Sequence, residues 1–231
     1  MKQRNYGVSV LMPCLNEAKT IESCVYKALD FLRRYDMKGE VLVVDNASTD
    51  CSGKLAKSAG ARVITASVQG YGSALQTGIQ AAGYEYILML DADDSYDVFD
   101  GMAMLEKLWE GYDLVIGNRF AGEMENGAMP WLHRYLGNPL LSALGRKWSG
   151  ASVKDFHCGI RAFRREAIEQ LALETTRMEF ASEMIMKAAA KKLKIAETPC
   201  GLHKDGRNGK SHLRMVRDGT RHIICMWKNR K

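Results

Sequence analysis

Tyr86-Ile87-Leu88-Met89-Leu90-Asp91-Ala92-Asp93-Asp94-Ser95 sets five mostly apolar residues directly before a cluster of acids. A run this short, bounded by polar residues, reads as a strand buried on both faces. On an extended chain residues i and i+2 face the same side, so Asp91 and Asp93 present both carboxylates to one point while Asp94 turns away. Two hard oxygen donors so placed suit Mg2+ or Mn2+, which would also hold phosphate oxygens. A plainer alternative is a turn in which Asp97 caps a helix beginning near Val98 and the other acids are solvated.

Outward from this stretch, short apolar runs at residues 8–12, 41–44, 63–64 and 114–116 read as further strands. Helical periodicity lies between most of them. Residues 17–34 put Ile21, Val25, Ala28, Leu29 and Leu32 on one face, residues 52–59 follow Asp50 as N-cap, and residues 73–82 follow a glycine loop. The alternation predicts an α/β fold with a doubly wound, mostly parallel sheet flanked by helices, Rossmann-like in layout. Ligands bind such sheets beyond the carboxyl ends of the strands. Three of the predicted strands end in polar residues there: 13–17, 45–46 and 91–94. Beyond Gly117 the rhythm lengthens into helices at 131–148 and 181–192 with a short strand near 195–198, read as an acceptor-side portion completing the sheet.

At 231 residues and 46% hydrophobic, the chain can bury a full core. Its charged fraction of 26% and four prolines argue against disorder. The six cysteines show no CxxC and no zinc spacing, and read as reduced thiols of a cytoplasmic protein. No apolar run approaches the ~20 residues of a membrane helix. The net charge of +6 is uneven: from Gly201 onward nine Lys/Arg face only Asp205 and Asp218. The basic character thus belongs to the tail, which points to a local anionic partner and not to nucleic acid.

Several blocks taken in order resemble the family-2 glycosyltransferases of the GT-A fold, particularly the dolichyl-phosphate mannose synthase and polyprenyl-phosphate glycosyltransferase branch. They are Met12-Pro13-Cys14-Leu15-Asn16-Glu17, Val43 to Asp50, Gly70-Tyr71-Gly72-Ser73-Ala74, Leu90-Asp91-Ala92-Asp93, Gly117-Asn118-Arg119-Phe120 and Asp155 to Arg161. The resemblance implies a nucleotide-sugar-binding half over residues 1–117, an acceptor-side half over 118–200, and a basic, amphipathic tail over 201–231. It places Pro13, Leu15, Glu17 and Asp45 at the nucleotide, with Gly70, Gly72, Asp91, Ala92 and Asp93 completing the donor site and Asp91 and Asp93 holding the metal. Free amides at the start of the helix after Gly70 would face phosphate or sugar. For Glu17 a helix dipole, and for Ser48 and Thr49 a cap of the next helix, are the structural alternatives, the latter adopted here.

By the same resemblance Arg119 contacts phosphate, Asp155 orients a sugar hydroxyl or acts as base, and Glu183 is a second acceptor-side acid; a surface salt bridge for Arg119 and a buried helix-end ion pair for Glu183 are the structural alternatives. Residues 207–212 resemble a loop whose cations close over donor phosphates. The match is imperfect there, leaving Arg207, Lys210 or Arg214 to serve. The implied reaction is transfer of a hexose from a nucleotide diphosphate sugar to a polyprenyl phosphate, with inversion, at the cytoplasmic face of the membrane. Lys210, Arg214, Arg217 and Arg221 at helical spacing, beside Leu213, Val216, Ile223, Ile224 and Trp227, suit an anionic membrane surface. Alternatives are transfer to a soluble or glycan acceptor, a haloacid-dehalogenase-like phosphatase built on Asp91 and Asp93, and a non-catalytic nucleotide-binding module.

Overall fold

Val8, Val10, Leu11 and Met12 are sealed from solvent, and burial on both faces marks the strand they belong to, β1 (Val8–Cys14), as an interior strand of the sheet. The computed structural model describes residues 6–206 and 215–230. β1 pairs in parallel with β2 (Gly39–Asp45) on one side and β4 (Tyr86–Met89) on the other. β3 (Arg62–Thr65) adds beyond β2, also parallel. β6 (Arg161–Arg164) runs antiparallel between β4 and β5 (Leu114–Asn118), and β7 (Ile195–Pro199) closes the far edge parallel to β5. The order is β3-β2-β1-β4-β6-β5-β7.

The chain therefore winds outward from β1 to β3 and then crosses back to β4. That reversal puts the ligand crevice of such sheets at the carboxyl ends of β1 and β4. Helices supply both layers. α1 (Ile21–Arg34) packs on α2 (Ser52–Ser58) and, through the 3-10 turn Val98–Asp100, is linked to α4 (Gly101–Trp109). α3 (Tyr71–Ala81) packs on β1, on β2, on the short α6 (Arg165–Glu169) and on α7 (Phe180–Ala190), which also carries α5 (Asn138–Ser149) and α8 (Met215–Lys228).

The α/β fold and the parallel half follow the sequence expectations closely. Three departures have local causes. The helix expected from residue 17 begins at Ile21, because the amides of Asn16, Glu17 and Ala18 donate to Ser48, Ser52 and Asp50 across the loop. The helix expected over 131–148 is interrupted by a π-helical turn at His133–Gly137 before α5 begins with Pro139 in its first turn. β6 starts at the last residue of the Asp155 to Arg161 motif, where no strand is expected. At four residues it is too short to carry a period.

α3 approaches the sheet closely because Gly78 has no side chain. A Cβ there would lie 2.3 Å from Leu11 Cδ1 and 2.9 Å from Val44 Cγ2. Gly78→Val is expected to destabilise the fold by about 1–3 kcal/mol through overpacking, measured by urea unfolding with an unchanged denaturant slope.

Candidate active site

At the end of β1 the chain turns at Asn16, whose φ of 58° is a conformation asparagine tolerates better than most residues. Asn16 Oδ1 accepts the Thr49 amide at 2.8 Å, and the Asn16 amide donates to Ser48 Oγ at 3.0 Å. Ser48 and Thr49 thus stitch the β2 loop to the β1 loop and do not cap α2, correcting the expectation. Asp50, expected as the N-cap, stands one residue before Cys51, which holds that position, and its Oδ1 still accepts the Ser52 amide at 2.9 Å. Asp45 Oδ1 accepts the Ser48 amide at 3.1 Å. The stitched loops frame a shallow cleft of about 180 Å³ lined by Asn16, Glu17, Ala18, Lys19 and Asp50. Pro13 and Leu15 are half-buried at its root, and Glu17 is buried.

The glycine loop before α3 also differs from expectation. Gly70 has φ 148° and donates its amide to Asn46 Oδ1 at 2.6 Å. A Cβ at Gly70 would lie 2.1 Å from the Thr176 carbonyl oxygen, and one at Gly72 2.4 Å from that of Thr175. The Ser73 amide donates to Thr176 O at 3.1 Å. The close approach that these glycines permit is therefore that of residues 175–176 of the same chain, which cover the start of α3. What the loop offers the crevice is Tyr71. Its hydroxyl donates to Asp91 Oδ1 at 3.0 Å, and burial together with the Asp91 charge holds the phenol well above its ordinary pKa, so it remains a donor.

Asp91 and Asp93 sit in a turn past the end of β4, so strand alternation no longer sets their directions; side-chain partners do. Asp93 Oδ1 accepts from the Ser95 amide at 3.1 Å and from its hydroxyl at 2.5 Å. Ala92 is buried, with its carbonyl accepting Thr20 Oγ1 at 2.7 Å. Asp94 turns outward with φ 63° and pairs with Lys27 at 2.7 Å, and Asp97 caps the turn at Val98–Asp100 by accepting the Phe99 amide. The other oxygen of Asp91 meets the loop before β6: a Cβ on Gly159 would lie 2.3 Å from Asp91 Oδ2. Tyr96 holds Gly159 there, its hydroxyl accepting the Gly159 amide at 2.9 Å.

Behind this junction lies a set of buried charges. Asp155 is fully buried and takes both Nε (2.7 Å) and Nη2 (2.8 Å) of Arg119, plus the backbone amides of Arg119 and His157. Fork geometry of this kind is the strong form of the ion pair. It leaves Asp155 no open oxygen direction for a proton from an acceptor, so the base role gives way to holding Arg119. Arg161, also fully buried, donates to the carbonyls of Phe156, Cys158 and Ala181 at 2.8 to 3.0 Å and so fixes the loop that carries Gly159.

Glu183 is taken up by structure as well. It accepts the Glu174 amide and both the amide and hydroxyl of Thr175, and pairs with Lys187 at 2.7 Å. Burial raises its carboxyl pKa, but the Lys187 and Thr175 bonds outweigh it and leave the group below the ordinary range. It staples the segment that covers α3, a positioning role in place of the expected chemical one. Next to Asp155, His157 and His222 stack edge to face at 4.5 Å, bridged by Ser182 Oγ at 3.4 and 2.8 Å. Tyr71, Tyr96, Arg161, Ser182 and His222 drew no role from the sequence, since each has at least one partner remote in the chain.

Arg207, Lys210 and Arg214 lie outside the described residues. α8 docks Asp218, His222, Cys225 and Met226 against the body, while Ile223, Ile224 and Trp227 of the expected apolar side are exposed. Among the described residues no helix is long and apolar enough to cross a membrane. All six cysteines are free thiols. No cluster of three or more His, Cys, Asp or Glu side chains suited to a metal occurs among the described residues. Two aspartates alone fit Mg2+ or Mn2+ in the mode where one or two carboxylates share the ion with substrate phosphates and water.

Acids past the end of β4, with the loop before β6 pressed on one of them, stand at the reversal of the sheet, where such folds bind ligands. The chain matches glycosyl transferase family 2 over residues 9–172 and belongs to that family. It is 40% identical over 223 residues to the low-salt glycan biosynthesis hexosyltransferase Agl6 of Haloferax volcanii, an alignment covering 96% of this chain and 53% of that protein. It therefore spans about half the length of that relative. A dolichyl-phosphate hexose transferase of the same organism is 33% identical, over 83% of this chain and 81% of its own length. The structure of glucosyl-3-phosphoglycerate synthase from Mycobacterium tuberculosis, in complex with Mn2+, UDP-glucose and phosphoglyceric acid, superposes with a TM-score of 0.75 at 20% identity, covering 97% of this chain and 79% of that one. The phosphatase alternative falls with family membership, and with the aspartates following the fourth strand and not the first.

Two outcomes are expected. Asp155→Asn leaves Arg119 buried without its counter-charge, costing about 3 kcal/mol or more in urea unfolding. Burial lowers the His222 pKa from 6.5 to about 4, opposed by Asp218. The unfolded chain thus binds a proton first, and this contribution, roughly 3 kcal/mol at most, is complete above pH 6.5 and lost as pH falls towards 4. His157 is shifted in the same sense. His222→Gln should therefore flatten the acid limb of a stability-against-pH curve, though not abolish it.

Proposed function

We propose that this chain transfers a hexose from a nucleotide diphosphate sugar of the UDP-glucose or GDP-mannose class to a polyprenyl phosphate, with inversion. The observation that carries the reading is the contact of Gly159 with Asp91, which brings the acceptor-side loop onto the donor-side carboxylate. Glu17 lines the cleft assigned to the nucleotide, Pro13 and Leu15 lie on the segment leading into it, and Asp45 braces Ser48 of the neighbouring loop. Asp91 and Asp93 would hold Mg2+ or Mn2+, which when bound neutralises charge on a departing diphosphate. Tyr71 orients Asp91, and Ser95 orients Asp93.

Arg119, held planar by Asp155, is assigned to an acceptor phosphate. A phosphate oxygen is already ionised at neutral pH and needs no general base. That accords with Asp155 and Glu183 both being committed to partners, so that the work left to the protein is positioning and charge complementarity. The relative named as a dolichyl-phosphate hexose transferase supports the lipid phosphate, and the hexosyltransferase Agl6 supports the sugar class.

The test offers radiolabelled UDP-glucose and GDP-mannose with polyprenyl phosphate, with and without Mn2+ or Mg2+. Metal-dependent label in a lipid product is expected. Asp93→Asn should lower it by about 100-fold or more with circular dichroism unchanged. Transfer only to water-soluble acceptors would overturn the lipid assignment, and full activity of Asp93→Asn would overturn the metal assignment.

A further inference from the structure

The segment between β5 and β6, residues 119–160, carries an unusual surface. From Asn126 to Lys154 there is no acid, while Arg134, Arg146, Lys147 and Lys154 contribute four positive charges. Within this stretch Trp131 is 70% exposed, Leu132 39%, Tyr135 58%, Leu136 56% and Leu140 63%. Leu132, Leu136 and Leu140 recur every fourth residue, with Tyr135 beside them, in a stripe along the π-helical turn and the start of α5. The Trp131 and Tyr135 rings lie 5.6 Å apart, and the Arg134 guanidinium lies 5.4 Å from the Tyr135 ring centroid. Water alone does not favour so much contiguous apolar side-chain surface.

We infer that this stripe is a docking surface for an anionic lipid bilayer, seating the acceptor side of the crevice at the membrane. Charge complementarity selects the occupant: cations without a single acid, beside aromatic groups that are apolar at one end and polar at the other, match the headgroup zone of a negatively charged leaflet. A smaller strip of the same kind occurs on α8, where Ile223, Ile224 and Trp227 are exposed among Arg217, Lys228 and Arg230, and α8 packs on α5. The surface is coupled to the site through α5. Ser142 Oγ accepts the Phe156 amide at 3.2 Å, and Gly145 admits the Phe156 ring, which a Cβ would meet at 2.5 Å. Phe156 directly follows Asp155. The inference deepens the lipid-acceptor reading above and rests on it for its purpose, although its test stands apart.

The experiment compares the wild-type chain with the triple variant Trp131→Ser, Leu136→Ser, Leu140→Ser in cosedimentation with vesicles of phosphatidylcholine, alone or mixed with phosphatidylglycerol. Transfer to a short-chain polyprenyl phosphate dispersed without vesicles, and mass by light scattering, are measured alongside. Wild type should bind the phosphatidylglycerol vesicles and bind phosphatidylcholine about tenfold less. The triple variant should lose about tenfold or more of the vesicle binding yet keep its circular dichroism and its short-chain transfer. Undiminished vesicle binding by the variant would overturn the inference, as would a wild-type dimer that the variant dissociates without change in vesicle binding. Lost vesicle binding with no transfer to any polyprenyl phosphate would instead sustain the docking surface and overturn the acceptor reading.

Discussion

Asp91 is held from two directions, and the arrangement of the crevice depends on that hold. Tyr71 donates to one of its oxygens from the start of α3, and Gly159 closes on the other from the loop before β6. The first contact ties the glycine loop to the end of β4; the second ties the loop before β6 to the same point. Neither tolerates much change. Tyr71 must stay protonated, which its burial ensures, and residue 159 must lack a side chain.

Around that point the molecule spends buried charge on geometry. A pair such as Arg119 with Asp155 gains little net stability over a well-packed apolar pair, because desolvation offsets most of the Coulomb attraction. What it gives is a guanidinium fixed in one plane beside the crevice. Arg161 works the same way with three carbonyls in place of a carboxylate, and Glu183 with the amides of residues 174–175. Each holds a loop that a surface hydrogen bond would leave free to move. Tyr96 then joins the loop before β6 to the turn after β4, and Ser182 joins it to α7 and α8.

Much of the α/β layout was legible because it rests on local rules. Buried parallel strands are continuous apolar runs, α1 carries a clear 3.6-residue stripe, and polar residues cluster where strands end. The short antiparallel β6 escaped because four residues define no period and its partner strands are remote in sequence. For the site, residue types at strand ends drew attention to Glu17, Asp45, Asp91 and Arg119, but not to what their neighbours do. Gly70 and Gly72 look in sequence like phosphate-loop glycines, whereas the atoms that come close to them are the carbonyls of Thr175 and Thr176, a hundred residues further on. Likewise Asp155 and Glu183 read as available acids until their donors are seen. Tyr71 sits in plain view between two glycines, yet nothing short of tertiary structure says that its hydroxyl ends at Asp91.

The most direct measurement of the central claim is calorimetric binding of UDP and GDP, each with and without Mn2+, to the wild-type chain and to Gly159→Ala. The added methyl would press on Asp91 Oδ2 without touching the nucleotide cleft at the end of β1. If Asp91 is the carboxylate that the acceptor-side loop shares with the donor site, the Mn2+-dependent part of the affinity should fall by about tenfold or more while thermal unfolding stays cooperative. Metal-dependent affinity equal to that of the wild type would contradict it.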